Sequence, residues 1–85
     1  MVDDEIRNNV SQFISKTFLF DPNKKIDEEI SLLGTGVIDS TGVLELISYL
    51  ESKYQIKFED EELIGENFDS IEKITGFISK KLLNI

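Results

Sequence analysis

Gly36-Val37-Ile38-Asp39-Ser40 closes a loop and leads into apolar residues at Val43, Leu46, Ile47, Leu50 and Tyr54. At about 100° per residue these positions share one stripe about 100° wide, which is the pattern of an amphipathic helix. Asp39 is a good N-cap, so the helix is expected to begin at Ser40 and to end near Tyr54 or Gln55. Ser40 lies off the centre of the stripe. Leu44 and Ser48 project toward solvent on its side, with Thr41, Glu45 and Ser52 following. The serine is therefore expected at an exposed helix N-terminus, beside a surface that a partner can read. Gly42 costs about 1 kcal/mol relative to alanine in a helix interior, and it reads as a tolerated surface glycine.

A helix N-terminus presents backbone N–H groups without intrahelical partners and carries partial positive charge. A phosphodiester on Ser40 Oγ would lie near those donors and need no separate basic pocket. The plainer alternative is that Ser40 merely assists a cap already supplied by Asp39.

Outward from this segment, the spacing of Ile6, Val10, Phe13, Ile14 and Phe18 predicts a first helix over 3–18, with acidic residues in its first turn. Phe20-Asp21-Pro22-Asn23 ends it. A long connection follows over 21–39, which Ile26, Ile30, Leu32, Leu33, Val37 and Ile38 can pin across the bundle, with a short helical turn near 27–32. Gly34 and Gly36 let the chain turn into the second helix. They do not form a nucleotide loop, because no strand precedes them and no Lys-Ser or Lys-Thr pair follows. Ile38 stands where a nucleophile elbow requires glycine.

Residues 60–64 read as a short third helix ended by Gly65. The run Glu59-Asp60-Glu61-Glu62 lacks the ligand alternation and turn glycine of a calcium loop, and reads as a solvated face. Asp69 or Ser70 caps a fourth helix whose apolar face is Ile71, Ile74, Phe77, Ile78 and Leu82, with Lys80 and Lys81 at its end. Phe13, Phe18, Phe58, Phe68 and Phe77 are the expected bulky core contributors. Together these elements form an all-α bundle.

Eighty-five residues suit one domain, 1–85, and leave no room for a second core. With no cysteine and no histidine, disulfides and thiolate metal sites are excluded, and the commonest general base is missing. Met1-Val2-Asp3-Asp4-Glu5 has no apolar run and is not expected to be a signal peptide. No stretch approaches the roughly 20 apolar residues of a membrane helix, so a reducing, cytoplasmic setting without membrane association is expected. The formal charge of −8 resides entirely in 39–72, where ten acidic residues face only Lys53 and Lys57, while seven acids and seven bases cancel elsewhere. Such a field repels nucleic acid and steers basic protein surfaces toward Ser40. On that surface Glu45 and Glu51 are expected to attract basic residues and Leu44 to supply an apolar contact, with Thr41 and Ser48 completing the face.

Gly36-Val37-Ile38-Asp39-Ser40, with Leu44-Glu45-Leu46 and Leu50-Glu51, resembles the phosphopantetheine attachment region of the acyl and peptidyl carrier proteins. The resemblance continues through Phe58-Glu59-Asp60-Glu61-Glu62-Leu63 and Asn67-Phe68-Asp69-Ser70-Ile71, so that it covers 33–78. It implies a four-helix carrier-protein bundle with a long first loop and a short third helix. It also implies 4′-phosphopantetheine, donated by coenzyme A and attached to Ser40, carrying an acyl or aminoacyl group as a thioester. Asp39 would orient the helix start and lie near the metal-bound coenzyme during transfer. The implied partners are a phosphopantetheinyl transferase, an acyl- or aminoacyl-activating enzyme, and an acyltransferase or condensing enzyme; a monomer is expected. Many members carry leucine after the modified serine, where Thr41 and Gly42 stand here. That departure bears on partner identity and favours a specialised biosynthetic pathway over housekeeping fatty-acid synthesis.

The chemistry favours a carrier over an enzyme, since the chain has no histidine to activate Ser40 and no thiol of its own. Hydrolysis by Ser40 lacks its base. An unmodified acidic interaction module with a basic partner is the alternative from another class.

Overall fold

The apolar spacing of the N-terminal segment is realised as α1, Val2–Phe18, in a computed structural model that describes residues 2–21 and 23–83. α2 spans Ser40–Tyr54 and α3 spans Ile71–Leu83. Between them lie two 3-10 turns, Asp60–Glu62 and Gly65–Phe68. The all-α expectation stands, while the four-helix count does not. The expected third helix is only the first of these turns, and Gly65 opens the second rather than ending a helix. The physical reason is visible in the sequence. Four consecutive acidic residues supply no apolar face to dock a longer helix, and Phe68 alone is buried in the pair of turns.

The core forms where the three stripes meet. Ile6, Val10 and Ile14 from α1, Leu46 and Leu50 from α2, and Ile71, Ile74 and Ile78 from α3 are all essentially solvent-free. Each such side chain contributes about 1.5–3 kcal/mol on burial. Phe58 and Phe68 are buried, while Phe13, Phe18 and Phe77 are half-buried against the same core. Phe68 meets Phe58 and Phe77 edge-on with ring centroids 5.4 and 5.8 Å away. Phe13 stacks on Tyr49 at 4.1 Å, tying α1 to α2. Tyr49 Oη also donates to the Asn9 carbonyl at 3.4 Å, and burial, with Tyr54 nearby, raises its phenol above the ordinary value.

The connection over 19–39 is irregular but anchored. Leu32 and Ile38 enter the core, and Ile26, Ile30 and Val37 are half-buried. The Leu33 side chain is 37 % exposed, and 27–32 contains a single turn closed by Ile30 N–H on the Asp27 carbonyl at 3.4 Å. Polar ties take over. The buried Ser15 Oγ donates to the Lys24 carbonyl at 2.7 Å, and Glu72 N–H, in the first turn of α3, donates to the Glu28 carbonyl at 3.0 Å. Gly36, at φ 78°, provides the left-handed turn into α2.

Candidate functional site at the start of α2

Asp39 lies in extended backbone at φ −99° and ψ 179°, and its Oδ1 accepts from Gly42 N–H at 2.7 Å. Val43 N–H closes the first helical turn on the Asp39 carbonyl at 3.0 Å. The other donors of this first turn, the N–H groups of Ser40 and Thr41, belong to exposed residues and have no preceding helical carbonyl to bond. The cap belongs to Asp39. Ser40 is thus an exposed hydroxyl at the positive end of a 15-residue helix, with two neighbouring amides able to receive a phosphate oxygen. The residues present fit a phosphodiester on Ser40 Oγ.

Beside the serine, Leu44 is 64 % exposed, an unusual position for a leucine on a helix that buries its other apolar side chains at least in part. Thr41, Glu45 and Ser48 are exposed and share that outer surface. Glu51 differs. It is half-buried, and its Oε2 accepts from Phe58 N–H at 3.0 Å, so this carboxylate ties the end of α2 to the following segment.

Gly42 is not a surface glycine. It is buried, and a Cβ there would lie 2.8 Å from Phe18 Cε1, 3.1 Å from Ile38 Cγ2 and 3.3 Å from Asp39 Oδ1. With Leu46 and Leu50 it continues the buried edge of α2 at intervals of one turn. Its absent side chain lets the Phe18 ring pack beneath the first turn that carries Ser40. Helical spacing from Leu46 was the available signal.

The loop that delivers Asp39 and Ser40 is held from the other side by Asp69. Ser31 Oγ donates to the Asp69 carboxylate, with its oxygens 2.9 and 2.8 Å away, and Leu33 N–H donates to Oδ1 at 3.0 Å. Asp69 therefore does not cap α3; Ser70 Oγ does, accepting from Lys73 N–H at 3.1 Å. The Leu33 amide and then the Ser31 hydroxyl hold the Asp69 carboxyl below its ordinary range. Nothing in the sequence pairs Ser31 with Asp69.

The acidic run is also more than a solvated face. Glu62 Oε1 receives Lys81 Nζ from α3 at 2.8 Å and Glu59 N–H at 2.7 Å. Those two bonds, the Lys81 one first, lower the Glu62 carboxyl. Lys81 also lies 5.5 Å from the centroid of the Phe58 ring.

Among known proteins, the chain is 33 % identical over 70 residues to a D-alanyl carrier protein of Streptococcus suis, covering 82 % of this chain and 86 % of that one. It is 33 % identical over 69 residues to a D-alanyl carrier protein of Streptococcus pyogenes, covering 81 % and 85 %. A D-alanyl carrier protein of Streptococcus thermophilus is 31 % identical over 76 residues, 89 % of this chain and 94 % of that one. No family model matches.

Proposed function

The chain belongs to the acyl and peptidyl carrier protein family, to which the D-alanyl carrier proteins belong, and on that premise we propose that it carries an aminoacyl group as a thioester on 4′-phosphopantetheine attached to Ser40. The observation that carries this reading is the separation of tasks at the start of α2. Asp39 makes the cap, and Ser40 stays exposed at the helix N-terminus, where the first-turn amides lack intrahelical partners. D-alanine is the first cargo to test, because the relatives are named for it.

When attached, the prosthetic group supplies the thiol that the chain, lacking cysteine, does not have. The protein's own share is recognition and placement. The α2 amides and the helix dipole favour the phosphodiester. Leu44, Glu45, Ser48 and Thr41 offer a mixed apolar and acidic surface to a transferase and to an aminoacyl-activating enzyme. No group in the chain is assigned a catalytic role. This chemistry suits the cytoplasm, where coenzyme A and activated amino acids are available.

The test is intact mass after incubation with coenzyme A and a broad-specificity phosphopantetheinyl transferase, followed by D-alanine, ATP and a D-alanine-activating enzyme. Wild type should gain one phosphopantetheine and then one alanyl group. Ser40→Ala should gain neither while keeping its helical spectrum, since Asp39 retains the cap. An equal gain in both proteins would move the site elsewhere, and no gain in wild type would leave an unmodified acidic interaction module.

A further inference from the structure

We infer that Asp69 and Ser31 are positioning residues for the modification of Ser40, acting through the loop between them; the inference rests on the carrier reading above. Asp69 stands just before α3, far from Ser40 in sequence, yet its hydrogen bonds begin a connected path that reaches Ile38, two residues before the serine. Its carboxylate receives Ser31 Oγ and Leu33 N–H, and its carbonyl receives Leu32 N–H at 2.6 Å. Ser31 in turn holds the next residues. Its Oγ accepts from Gly34 N–H at 2.8 Å, and its carbonyl accepts from Thr35 Oγ1 at 2.7 Å and Thr35 N–H at 3.0 Å.

Gly36 N–H then donates to the Leu33 carbonyl at 3.2 Å, and Ile38 N–H to the Leu32 carbonyl at 3.1 Å. Ile38 immediately precedes the Asp39 cap, and its side chain is only 1 % exposed. The result is a closed turn pinned at one end by Asp69 and at the other by the cap. A Cβ at Gly34 would meet Ser31 Oγ at 2.7 Å, so a side chain there would displace the hydroxyl that Asp69 holds. None of these contacts involves the outer face of α2. Their direct consequence is where the backbone enters that helix, and so where Ser40 Oγ stands relative to a docked enzyme.

This predicts a particular kinetic signature. Docking through Leu44, Glu45 and Ser48 is unaffected, while the attacking hydroxyl is less well placed. A displacement of about 1 Å can reduce a rate about 100-fold, so partial loosening should lower kcat about tenfold with KM for the carrier changed less than twofold. Asp69→Asn keeps the volume but replaces one acceptor oxygen by a donor. Ser31→Ala removes the hydroxyl alone. Ile78→Val, in the core and outside this path, controls for lost stability.

The experiment measures kcat and KM for phosphopantetheine transfer from coenzyme A to wild type and the three variants, each well below its melting temperature, with helicity checked by circular dichroism. Reduced kcat at unchanged KM in Asp69→Asn and Ser31→Ala, with Ile78→Val matching wild type, is the expected result. The double variant should be no slower than the worse single one, because both substitutions break one network. Equal kcat in folded variants and wild type would overturn the inference. So would loss of the native helical spectrum in both single variants, which would make the tie a requirement of folding. If wild type itself accepts no phosphopantetheine, the carrier reading has failed instead.

Discussion

Gly42 shows how much of the site depends on an atom that is missing. The Phe18 ring edge, the Ile38 methyl and the Asp39 carboxylate close on it from three sides, so alanine there meets two opposed effects. Helix propensity favours alanine by about 1 kcal/mol, whereas overpacking costs about 1–3 kcal/mol. Three neighbours, one of them the solvent-free Ile38, leave little freedom to relax. Gly42→Ala should therefore be destabilised by about 1 kcal/mol in urea unfolding. If Phe18 is the opposing neighbour, the same substitution in a Phe18→Ala background should become neutral or stabilising. An equal loss in both backgrounds would assign the crowding to Ile38 and Asp39 alone. The packing of Phe18 and Ile38 against Gly42 was not legible in the sequence. The helical spacing placed Ser40 and Asp39 correctly, but Phe18 lies on another helix, and single-residue propensity describes only an isolated helix.

The elements divide by whether an apolar period defines them. α1, α2 and α3 were legible because each repeats buried side chains at helical spacing, as Ile6, Val10 and Ile14 do. The segment between α2 and α3 has no such period; it is anchored by the isolated buried side chains Ile56, Phe58 and Phe68 and by carboxylates that accept from distant or backbone donors. Glu62 bridges Glu59 N–H and Lys81, and Asp69 bridges Ser31 and Leu33 N–H. Those partners lie far apart in sequence or on the backbone, where residue patterns do not reach. Both carboxyls are held below their ordinary values, so their folded-state preference for the charged form contributes stability above the unfolded values of about 4. That contribution is lost as pH falls through the lower folded values. Solvent exposure keeps it small. Urea midpoints between pH 5 and pH 2.5 should fall more steeply for wild type than for Glu62→Gln or Asp69→Asn, each of which starts less stable at pH 5. Parallel acid slopes would mean that neither carboxyl is favoured in the folded state.

At the scale of the whole molecule, the charge is concentrated on the segment that begins with the cap of α2 and runs to the start of α3. The entire net charge of −8 falls in 39–72, the part that contains α2 and both 3-10 turns, while the remainder of the chain is balanced. Like charges gathered there repel one another in the folded chain, and added salt weakens that repulsion as the Debye length shrinks from about 30 Å at 0.01 M to about 3 Å at 1 M. Four carboxylates are already committed to internal donors, Asp39 to Gly42 N–H, Glu51 to Phe58 N–H, Glu62 to Lys81, and Asp69 to Ser31 Oγ and Leu33 N–H. The others on exposed positions, among them Glu45, Glu59, Asp60, Glu61 and Glu66, set the field. Among the described residues no group of three acidic side chains is arranged to hold a metal ion. Screening rather than coordination should therefore govern stability. Raising sodium chloride from 10 to 500 mM should increase Tm by about 5 °C, the shift that corresponds to roughly 1 kcal/mol in a domain of this size, and millimolar magnesium should add little once sodium chloride is high. A saturable rise with magnesium that persists in 500 mM sodium chloride would require a bound ion, and the acidic run from Glu59 to Glu62 would be the first place to look for its ligands.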